Sequence, residues 1–458
     1  MRRRMGAYFS VIAVSAVLLA GCAQGTGNTK TNATYDRNAK LSGKVTVMGF
    51  GATDEIGKVR LHEARKALGS KVKVKLIPGD LDIQQFLSAV ASGEPPEVVY
   101  ADRNQIGSFA SRGAIIPLDE CVKGENIDTA AFRKSALDAV TFNGHVYGIP
   151  EFNVVQIIQA NADLLRKAGV SLSDVNGSSW SAISAANKKL MKVQGGKLKV
   201  IGFDSKLPEF LPLWAKANGA DMISADGKTA QLDDPKVVAA LKWAVSIYDA
   251  QGGFGKVKAY RDSADFFGSG NQFATGTLGA MPMEQWYVNV LNDVSPKAPV
   301  TFDTVRDHQG QTIAFASGSA WAIPKGSKNA AAACRFARVM TQTSSWVKAA
   351  QERVRLRKKD GGLFTGVLTG NVDADKKIQA MIKPSGDAKW DKAIAATYTA
   401  NDHTFSMPAN PAGQEFQTAW QDGVNRVLNG QQSPEEAMKQ AQKEAQKALD
   451  DAWAEMRK

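Results

Sequence analysis

Apolar and polar residues follow two alternating periods along the first hundred residues. Residues 44–48 form a short β-branched run, and residues 54–68 carry apolar side chains at helical spacing. Residues 72–77 alternate apolar side chains with lysine, residues 84–91 return to helical spacing, and residues 98–100 are again a short apolar run. Strands that alternate with helices in this way predict a parallel sheet of the α/β class.

The pattern changes near residue 139. Asn143-Gly144 predicts a tight turn between the short runs 139–142 and 145–149. Residues 266–283 are rich in Gly and Pro, and we predict a loop there. Further strands are predicted at 154–160 and 319–323, and further helices at 181–193, 210–218, 236–249 and 328–340.

The C-terminal segment predicts a helix that packs on a core. Ser433-Pro434-Glu435-Glu436 combines an N-cap serine, a proline at the first helical position and a glutamate three residues after the cap. One helical face is apolar and comprises Met438, Ala441, Ala445, Leu449, Ala452 and Met456.

A basic and apolar N-terminus precedes the folded pattern. Arg2-Arg3-Arg4 is followed by an apolar run over residues 7–20, which is shorter than the about 20 residues that a membrane-spanning helix needs. Leu19-Ala20-Gly21-Cys22 resembles the bacterial lipobox; an ordinary secretory signal with an incidental cysteine is the alternative. We predict a lipoprotein signal peptide at 1–22, a flexible tether at 23–42, and a protein anchored outside the cytoplasm by acyl chains on Cys22.

Composition and motifs argue against several classes of function. The 458 residues allow two or three domains, and the formal net charge of +12 is spread over lysines that suit solvated helix faces. Basic runs do not interleave with aromatic residues, so nucleic acid is not an expected partner. The sequence contains no metal-ligand spacing, nucleophile elbow or phosphate loop, so neither a metal nor another cofactor is predicted, and an enzyme is the weaker class. Besides Cys22, Cys121 and Cys334 permit either a disulfide or two buried thiols.

Several segments, in order, resemble the family 1 extracellular solute-binding proteins of bacterial ABC importers, which include maltodextrin-binding proteins. They are GEPPEVV at 93–99, GAIIPLD at 113–119, NGHVYGIP at 143–150, 161–169, 273–286, WAIPKGS at 321–327 and NGQQSPEEA at 429–437. Each motif alone is loose, but their order covers almost the whole mature chain.

The resemblance implies a two-lobe α/β fold of the periplasmic-binding-protein type, with a hinge and an interlobe cleft. Lobe one would comprise residues 43–150 and 318–362, and lobe two residues 151–317 and 363–458. Both Cys121 and Cys334 then fall in lobe one, so a disulfide between them is expected.

Ligand contacts are expected from loops at the carboxyl ends of strands, where open α/β sheets bind ligands. The predicted ligand-binding residues are Gly51, Asp54, Asp102, Arg103, Asn104, Glu151, Asn153, Glu284, Trp286, Ser319 and Trp321. Alternatives are helix capping for Asp102, a hinge salt bridge for Glu151 and core packing for Trp321. Trp286 is expected to stack on a sugar, whereas Trp214 and Trp420 are expected in the core.

The resemblance implies a non-enzymatic function, which is capture of a sugar or small oligosaccharide and delivery to ABC permease subunits by a lipid-anchored monomer. Ala101 and Ser179-Trp180-Ser181 depart from the family pattern and favour a small sugar over a long oligosaccharide. Three alternatives stay open: binding of a polyamine or other small polar solute at acidic residues, an envelope-tethered glycan-active enzyme, and an adhesive lipoprotein.

Overall fold

A computed structural model describes residues 35–457 of the chain, and the predicted signal peptide with Cys22 lies outside that range. Within residues 35–457, no helix combines the length and the apolar character that a membrane span requires. The strands are β1 Gly43–Met48, β2 Val72–Ile77, β3 Val98–Asp102, β4 Thr141–Phe142, β5 His145–Val146, β6 Ile149–Pro150, β7 Gln156–Asn161, β8 Lys192–Gln194, β9 Lys197–Phe203, β10 Leu278–Glu284, β11 Val300–Thr304, β12 Ala314–Phe315, β13 Ser319–Ala322 and β14 Thr404–Phe405.

Eighteen α-helices of the described part accompany these strands. They are α1 Glu55–Leu68, α2 Ile83–Ala91, α3 Arg103–Ser111, α4 Asp119–Gly124, α5 Lys134–Asp138, α6 Ala162–Ala168, α7 Trp180–Leu190, α8 Leu211–Ala217, α9 Pro235–Asp249, α10 Phe254–Asp262, α11 Gln272–Thr275, α12 Trp286–Val294, α13 Ala330–Thr341, α14 Thr343–Lys359, α15 Val372–Gln379, α16 Ala388–Asp402, α17 Gly413–Leu428 and α18 Pro434–Glu455.

The first lobe is built on a five-stranded sheet of order β2-β1-β3-β13-β6. β1 runs parallel to β2 and β3, whereas β13 is antiparallel to both β3 and β6. Val45, Val47 and Val98 are fully buried beneath the helices, which explains why these strands read as apolar runs. The α/β class predicted from the alternating periods is therefore confirmed.

The second lobe is built on a sheet of order β11-β7-β10-β9-β8, and it corrects one sequence-based prediction. Residues 278–284, predicted as loop, form the buried central strand β10. A Cβ atom on Gly279 would lie 2.3 Å from the carbonyl oxygen of Gly202 on β9. Glycine in this segment therefore permits close packing of neighbouring strands, which the sequence pattern alone cannot distinguish from a loop.

Short crossing segments connect the two lobes. Residues 151–155 lead from β6 to β7, and residues 316–318 return from β12 to β13. The two segments pair through an isolated antiparallel bridge between Val154 and Ser317. Gly318 has a φ of +141°, and a Cβ atom there would lie 2.1 Å from the carbonyl oxygen of Phe152. The crossing segments can approach this closely only because position 318 carries no side chain.

The region after residue 359 packs against both lobes. Phe364 and Ala374 are buried in a cluster with Ile56 and Trp346 of the first lobe. Trp390 of α16 is buried instead in the large core of the second lobe. The lobe boundary at 363 stays a prediction, because the residues after 359 pack partly on the first lobe and partly on the second.

Residues 35–42, the end of the predicted tether, contact the first lobe. The Tyr35 hydroxyl donates to Glu125 at 3.0 Å, and Leu41 packs against the first-lobe core. Nearby, Cys121 on α4 and Cys334 on α13 are joined by a disulfide across a sequence separation of 213 residues. Closing a loop of that length removes much of the conformational freedom of the unfolded chain.

The C-terminal helices complete the second lobe. Ser433 and Glu436 form the predicted capping box at the start of α18. Met438, Ala441, Ala445 and Leu449 are fully buried. The apolar face ends before Met456, which is 36 % exposed.

Candidate functional site

Two adjoining cavities lie between the lobes and share Val154, Gly318 and Ser319 of the crossing segments. The larger cavity has a volume of about 440 Å³ and is lined by Asp102, Arg103, Asn104, Ala139, Val154, Gln156, Glu209, Phe210, Glu284, Phe315–Ser319, Ser406–Asn410, Gly413, Phe416, Gln417, Trp420 and Gln421. The smaller cavity, of about 350 Å³, is lined by Tyr100, Phe152–Val154, Gln285, Trp286, Val288, Asn289, Gly318, Ser319, Arg353, Thr365–Leu368 and Thr397.

Three carboxylates line the larger cavity. Asp102 stands where β3 ends and α3 begins, and it accepts a hydrogen bond from the Ser319 hydroxyl at 3.3 Å. Partial burial raises the pKa of Asp102. Glu284 ends β10, and burial raises its pKa as well, while Glu209 of the second lobe is exposed. Carboxylates aimed into a partly enclosed cavity accept hydrogen bonds from hydroxyl or ammonium groups.

Asp102 caps α3 by position only, because its side chain makes no capping hydrogen bond. Its carboxylate is therefore not committed to the helix, unlike that of Asp54, which accepts from the amide of Gly57 at 2.8 Å. Two interpretations were left open for Asp102, helix capping and ligand contact. The structure does not show capping by the side chain, and ligand contact stays a prediction.

Aromatic side chains also line the larger cavity. Phe210 precedes α8, and Phe416 and Trp420 lie one turn apart on α17; all three are at least 94 % buried. The Trp420 indole Nε1 is buried and has no hydrogen-bond partner within residues 35–457. Trp321 shares that property but lines neither cavity. A buried donor without a partner in the free protein gains a hydrogen bond where a ligand acceptor reaches it.

Trp286 is one of the residues that line the smaller cavity. It is the first residue of α12, and its indole Nε1 donates to the Glu284 carboxylate. This hydrogen bond orients the indole. Because Glu284 lines the larger cavity and Trp286 the smaller one, the bond also joins the linings of the two cavities at the end of β10. The ring of Phe267, from the loop before α11, lies nearly parallel to the Trp286 ring at 14° with centroids 6.1 Å apart.

Other predicted site residues lie away from both cavities. Glu151 is fully buried and pairs with Arg60, so the hinge salt bridge is present. Trp321 is fully buried among Phe50, Tyr100 and Phe336, so it packs in the first-lobe core. Trp321 lies on β13, which stands between β3 and β6 in the sheet, and Glu151 directly follows edge strand β6.

Gly51 and Asp54 line neither cavity. The second carboxylate oxygen of Asp54 pairs with Arg353 at 2.6 Å, and it is Arg353 that lines the cavity. The loop after β1 therefore contacts the cleft through a side chain of α14.

A buried polar network runs beneath the cleft. Arg103, only 3 % exposed, donates to Asn153 at 2.7 Å and to the carbonyl oxygen of Phe152 at 2.5 Å. Asn153 in turn donates to Asn401, and Asn401 donates to Asp375, each at 2.8 Å. Asn153 lines the smaller cavity and Arg103 the larger one, but most of their hydrogen-bonding capacity is used inside the protein. Their internal hydrogen bonds join α3 to the crossing segment 151–155, and ligand contact by either residue stays a prediction.

Asp375 completes this network from the other side. Its carboxylate accepts from Arg133 at 2.9 Å and from the Thr369 hydroxyl at 2.8 Å. Burial raises the pKa of Asp375 to about 6, although Arg133 and Thr369 act in the opposite direction. The network thus connects three segments that cross or flank the hinge.

Side chains at the rim connect the lobes directly. Asn104 on α3 donates to Gln417 on α17, and Arg112 pairs with Glu415 at 2.5 Å. On the opposite side, Arg357 of α14 pairs with Asp293 of α12 at 3.0 Å. These contacts require the lobes to be close together.

The sequence did not single out several cavity residues. Glu209, Phe210, Gln417, Trp420 and Gln421 come from two segments that are far from each other and from β3 in the chain. Trp420 was expected in the core, and its burial agrees with that, but the face that lines the cavity depends on how α17 packs against α3. Only the pair Gln417 and Gln421, spaced four apart on an amphipathic helix, gave a polar-stripe signal.

The described residues contain no group of three His, Cys, Asp or Glu side chains placed to hold a metal ion.

Two lobes with hydrogen-bonding and aromatic groups facing a shared cleft define a two-lobe ligand-binding protein. The family model of the bacterial extracellular solute-binding proteins matches residues 61–354, so the chain belongs to that family. Its members bind solutes outside the cell.

Individual relatives agree with this assignment. A maltooligosaccharide ABC transporter solute-binding lipoprotein of Streptococcus pneumoniae is 25 % identical over 357 residues, covering 74 % of this chain and 76 % of the relative. The arabinooligosaccharide-binding protein of Bacillus subtilis is 22 % identical over 262 residues, covering 56 % of this chain and 58 % of the relative.

Solved structures share the fold. CpMnBP1 with mannotriose bound superimposes with a TM-score of 0.69 at 23 % identity, covering 88 % of this chain and 99 % of that chain. The GacH receptor of Streptomyces glaucescens, studied with acarbose, gives a TM-score of 0.68 at 18 % identity, covering 90 % and 100 %. The two-lobe α/β fold predicted from the sequence is confirmed.

Proposed function

We propose that the chain captures an oligosaccharide in the interlobe cleft and delivers it to the permease of an ABC importer. The larger cavity carries this proposal, because carboxylates and aromatic rings line it together. Asp102, Glu209 and Glu284 offer acceptors for sugar hydroxyls, while Phe210 and Trp420 offer apolar surface for C–H faces. Relatives named for maltooligosaccharide and arabinooligosaccharide binding support the same class of ligand.

Titration calorimetry tests this proposal with maltotriose, mannotriose, arabinotriose and spermidine as separate probes. Saturable binding of at least one saccharide, without release of shorter products, supports a binding protein. Thermal stabilisation should accompany it, by about 2.7 kcal/mol when the probe is at 100 times its dissociation constant. Binding of spermidine alone would assign the carboxylate wall to a cationic solute, and turnover would replace the binding function by a hydrolytic one.

Trp286→Ala should weaken saccharide binding by about 1–3 kcal/mol, because the indole is a half-buried platform held by Glu284. A loss of about 3–5 kcal/mol in unfolding free energy with unchanged affinity would instead assign Trp286 to the core. Denaturant unfolding without ligand and calorimetry with ligand separate the two results.

The proposal includes a lipid anchor at Cys22, and the lipoprotein named among the relatives supports it. Cys22→Ala should release mature protein from cell membranes. A variant of mature size that stays in washed membranes would contradict the anchor.

We propose a monomer, which light scattering of the soluble variant tests directly.

A further inference from the structure

Asp204 is a buried carboxylate of the second lobe that lines neither cavity. It directly follows strand β9 and is only 1 % exposed. The segment that it begins, residues 204–210, ends with Glu209 and Phe210 in the lining of the larger cavity. Removing a carboxylate from water is unfavourable unless other groups satisfy it. The groups that satisfy Asp204 therefore show what this carboxylate holds in place.

Two hydrogen bonds to Asp204 fix the backbone of the segment. Its Oδ1 accepts from the backbone amide of Lys206 at 2.9 Å and from the Tyr248 hydroxyl at 2.7 Å. The Tyr248 oxygen in turn accepts from the backbone amide of Leu207 at 3.1 Å. Asp204 and Tyr248 thus hold two successive amides, three and two residues before Glu209.

The backbone at Lys206 requires this support. Its φ of +55° lies in the left-handed region, which is unfavourable for a residue that carries a Cβ atom. The Lys206 carbonyl oxygen accepts from the amide of Phe210 at 3.1 Å, so the bend at Lys206 leads directly into α8. Phe210 is also held by the second-lobe core, whereas exposed Glu209 depends on the backbone alone.

Arg261 on α10 pairs with the other carboxylate oxygen of Asp204 at 3.0 Å. Burial alone would raise the pKa of Asp204, but Arg261, Lys206 and Tyr248 outweigh burial, so the pKa lies below its ordinary value. A buried ion pair contributes little to folding compared with apolar side chains of similar volume. The backbone geometry that this network imposes therefore explains it better than stability does.

We propose that Asp204 and Tyr248 are positioning residues for ligand binding. They fix the backbone at residues 206 and 207 and thereby hold the Glu209 carboxylate where a saccharide hydroxyl donates to it. Neither residue lines a cavity, so neither touches the ligand. This inference rests on the proposed saccharide binding, and it requires both residues to act on affinity through Glu209.

Calorimetry on the intact soluble protein tests this role, with whichever of maltotriose, mannotriose and arabinotriose the wild type binds. Tyr248→Phe removes only the hydroxyl and should raise the dissociation constant about 3- to 10-fold, and Asp204→Ala should raise it further. In the Glu209→Ala background, each substitution should change the dissociation constant less than about 2-fold, because the group that they position is already gone.

Ile247→Val is the control for stability alone. It shortens a buried side chain next to Tyr248 on α9, so it should lower the urea midpoint of unfolding and leave the dissociation constant unchanged.

An unchanged dissociation constant in Tyr248→Phe, or a rise by the same factor with and without Glu209, would overturn the positioning role while saccharide binding itself stands. If Asp204→Ala does not fold, Tyr248→Phe decides alone, since it retains the buried ring. Failure of the wild type to bind any of the three saccharides would overturn the proposed function and the positioning role with it.

Discussion

At the scale of the residue, Trp420 and Trp214 distinguish a tryptophan that can bind ligand from one that only packs in the core. Trp420 lines the larger cavity, and its buried Nε1–H has no partner among residues 35–457, whereas the Nε1–H of Trp214 donates to the carbonyl oxygen of Ser205 at 2.8 Å. An unpartnered buried donor costs stability in the free protein and contributes affinity when a ligand oxygen accepts from it.

Trp420→Phe should therefore weaken the free energy of saccharide binding by about 0.5–1.5 kcal/mol, the usual net contribution of one hydrogen bond. Trp214→Phe is the matched control, since it also replaces a buried indole but breaks an internal bond. It should cost more unfolding free energy and leave affinity unchanged. Calorimetry and urea unfolding of both variants measure the contrast, and equal affinity losses would contradict it.

Asp375 makes a second prediction at this scale. Burial raises the pKa of its carboxyl from an ordinary 3.8 to about 6, so the folded protein holds this proton more tightly than the unfolded chain. The stabilisation by the proton is fully present below about pH 4 and is lost as pH rises through 6.

The unfolding free energy of the wild type, minus that of Asp375→Asn, should increase by up to about 3 kcal/mol from pH 7 to pH 4. The neighbouring charges, Arg133 and exposed Asp402, are unchanged in this comparison. Urea titrations at fixed ionic strength over that range provide the measurement. A difference that does not depend on pH would show that Asp375 does not titrate between those limits.

At the scale of the element, the sequence predicted the first lobe better than the second. The alternation over residues 44–100 located β1, α1, β2, α2 and β3 almost to the residue, because the strand and helix periods are distinct there: β1 and β3 are apolar runs with mostly buried side chains, and edge strand β2 alternates apolar side chains with exposed lysines. Strand β10 was missed because Gly279 serves close packing. The side of α17 that lines the larger cavity was missed, because helical periodicity shows which side chains are apolar and not which neighbour they face.

Candidate site residues divide along the same line. Asp102 and Asn104 follow a strand that the sequence pattern predicts, whereas Glu284 and Trp286 were singled out through the family resemblance, because strand β10 was missed. Glu151 carries the same signal, yet it is paired inside the protein. Its partner Arg60 lies on α1, 91 residues earlier, so only the three-dimensional contact identifies the pair.

Gly318 supplies the prediction for the crossing segments. Gly318→Ala should lower the unfolding free energy by about 2 kcal/mol or more, because the new methyl group would collide with the Phe152 carbonyl oxygen and the φ of +141° disfavours any side chain. Gly310→Ala also has a positive φ, +78°, but faces open space, so it should cost only about 1–2 kcal/mol. Equal losses in thermal and urea unfolding would mean that the close approach contributes nothing.

At the scale of the whole molecule, closure of the lobes depends on contacts that do not touch the ligand. Arg112 pairs with Glu415 on one side of the cleft and Arg357 with Asp293 on the other, and neither arginine lines the two cavities. Hinge motion about the crossing segments separates these partners when the lobes open. Ion pairs of this exposed kind contribute up to about 1 kcal/mol each, and salt screens them.

The combined variant Arg112→Ala/Arg357→Ala should therefore release saccharide faster, with about a 2- to 10-fold rise in the dissociation constant and little change in the association rate. Raising the ionic strength should move the wild type in the same direction and the variant much less. Lys134→Ala is the control, because Lys134 pairs with Asp138 within α5 and bridges nothing between the lobes. Stopped-flow kinetics with the tightest saccharide measures each rate. An unchanged release rate, or the same change in Lys134→Ala, would mean that the crossing segments alone set the closed geometry.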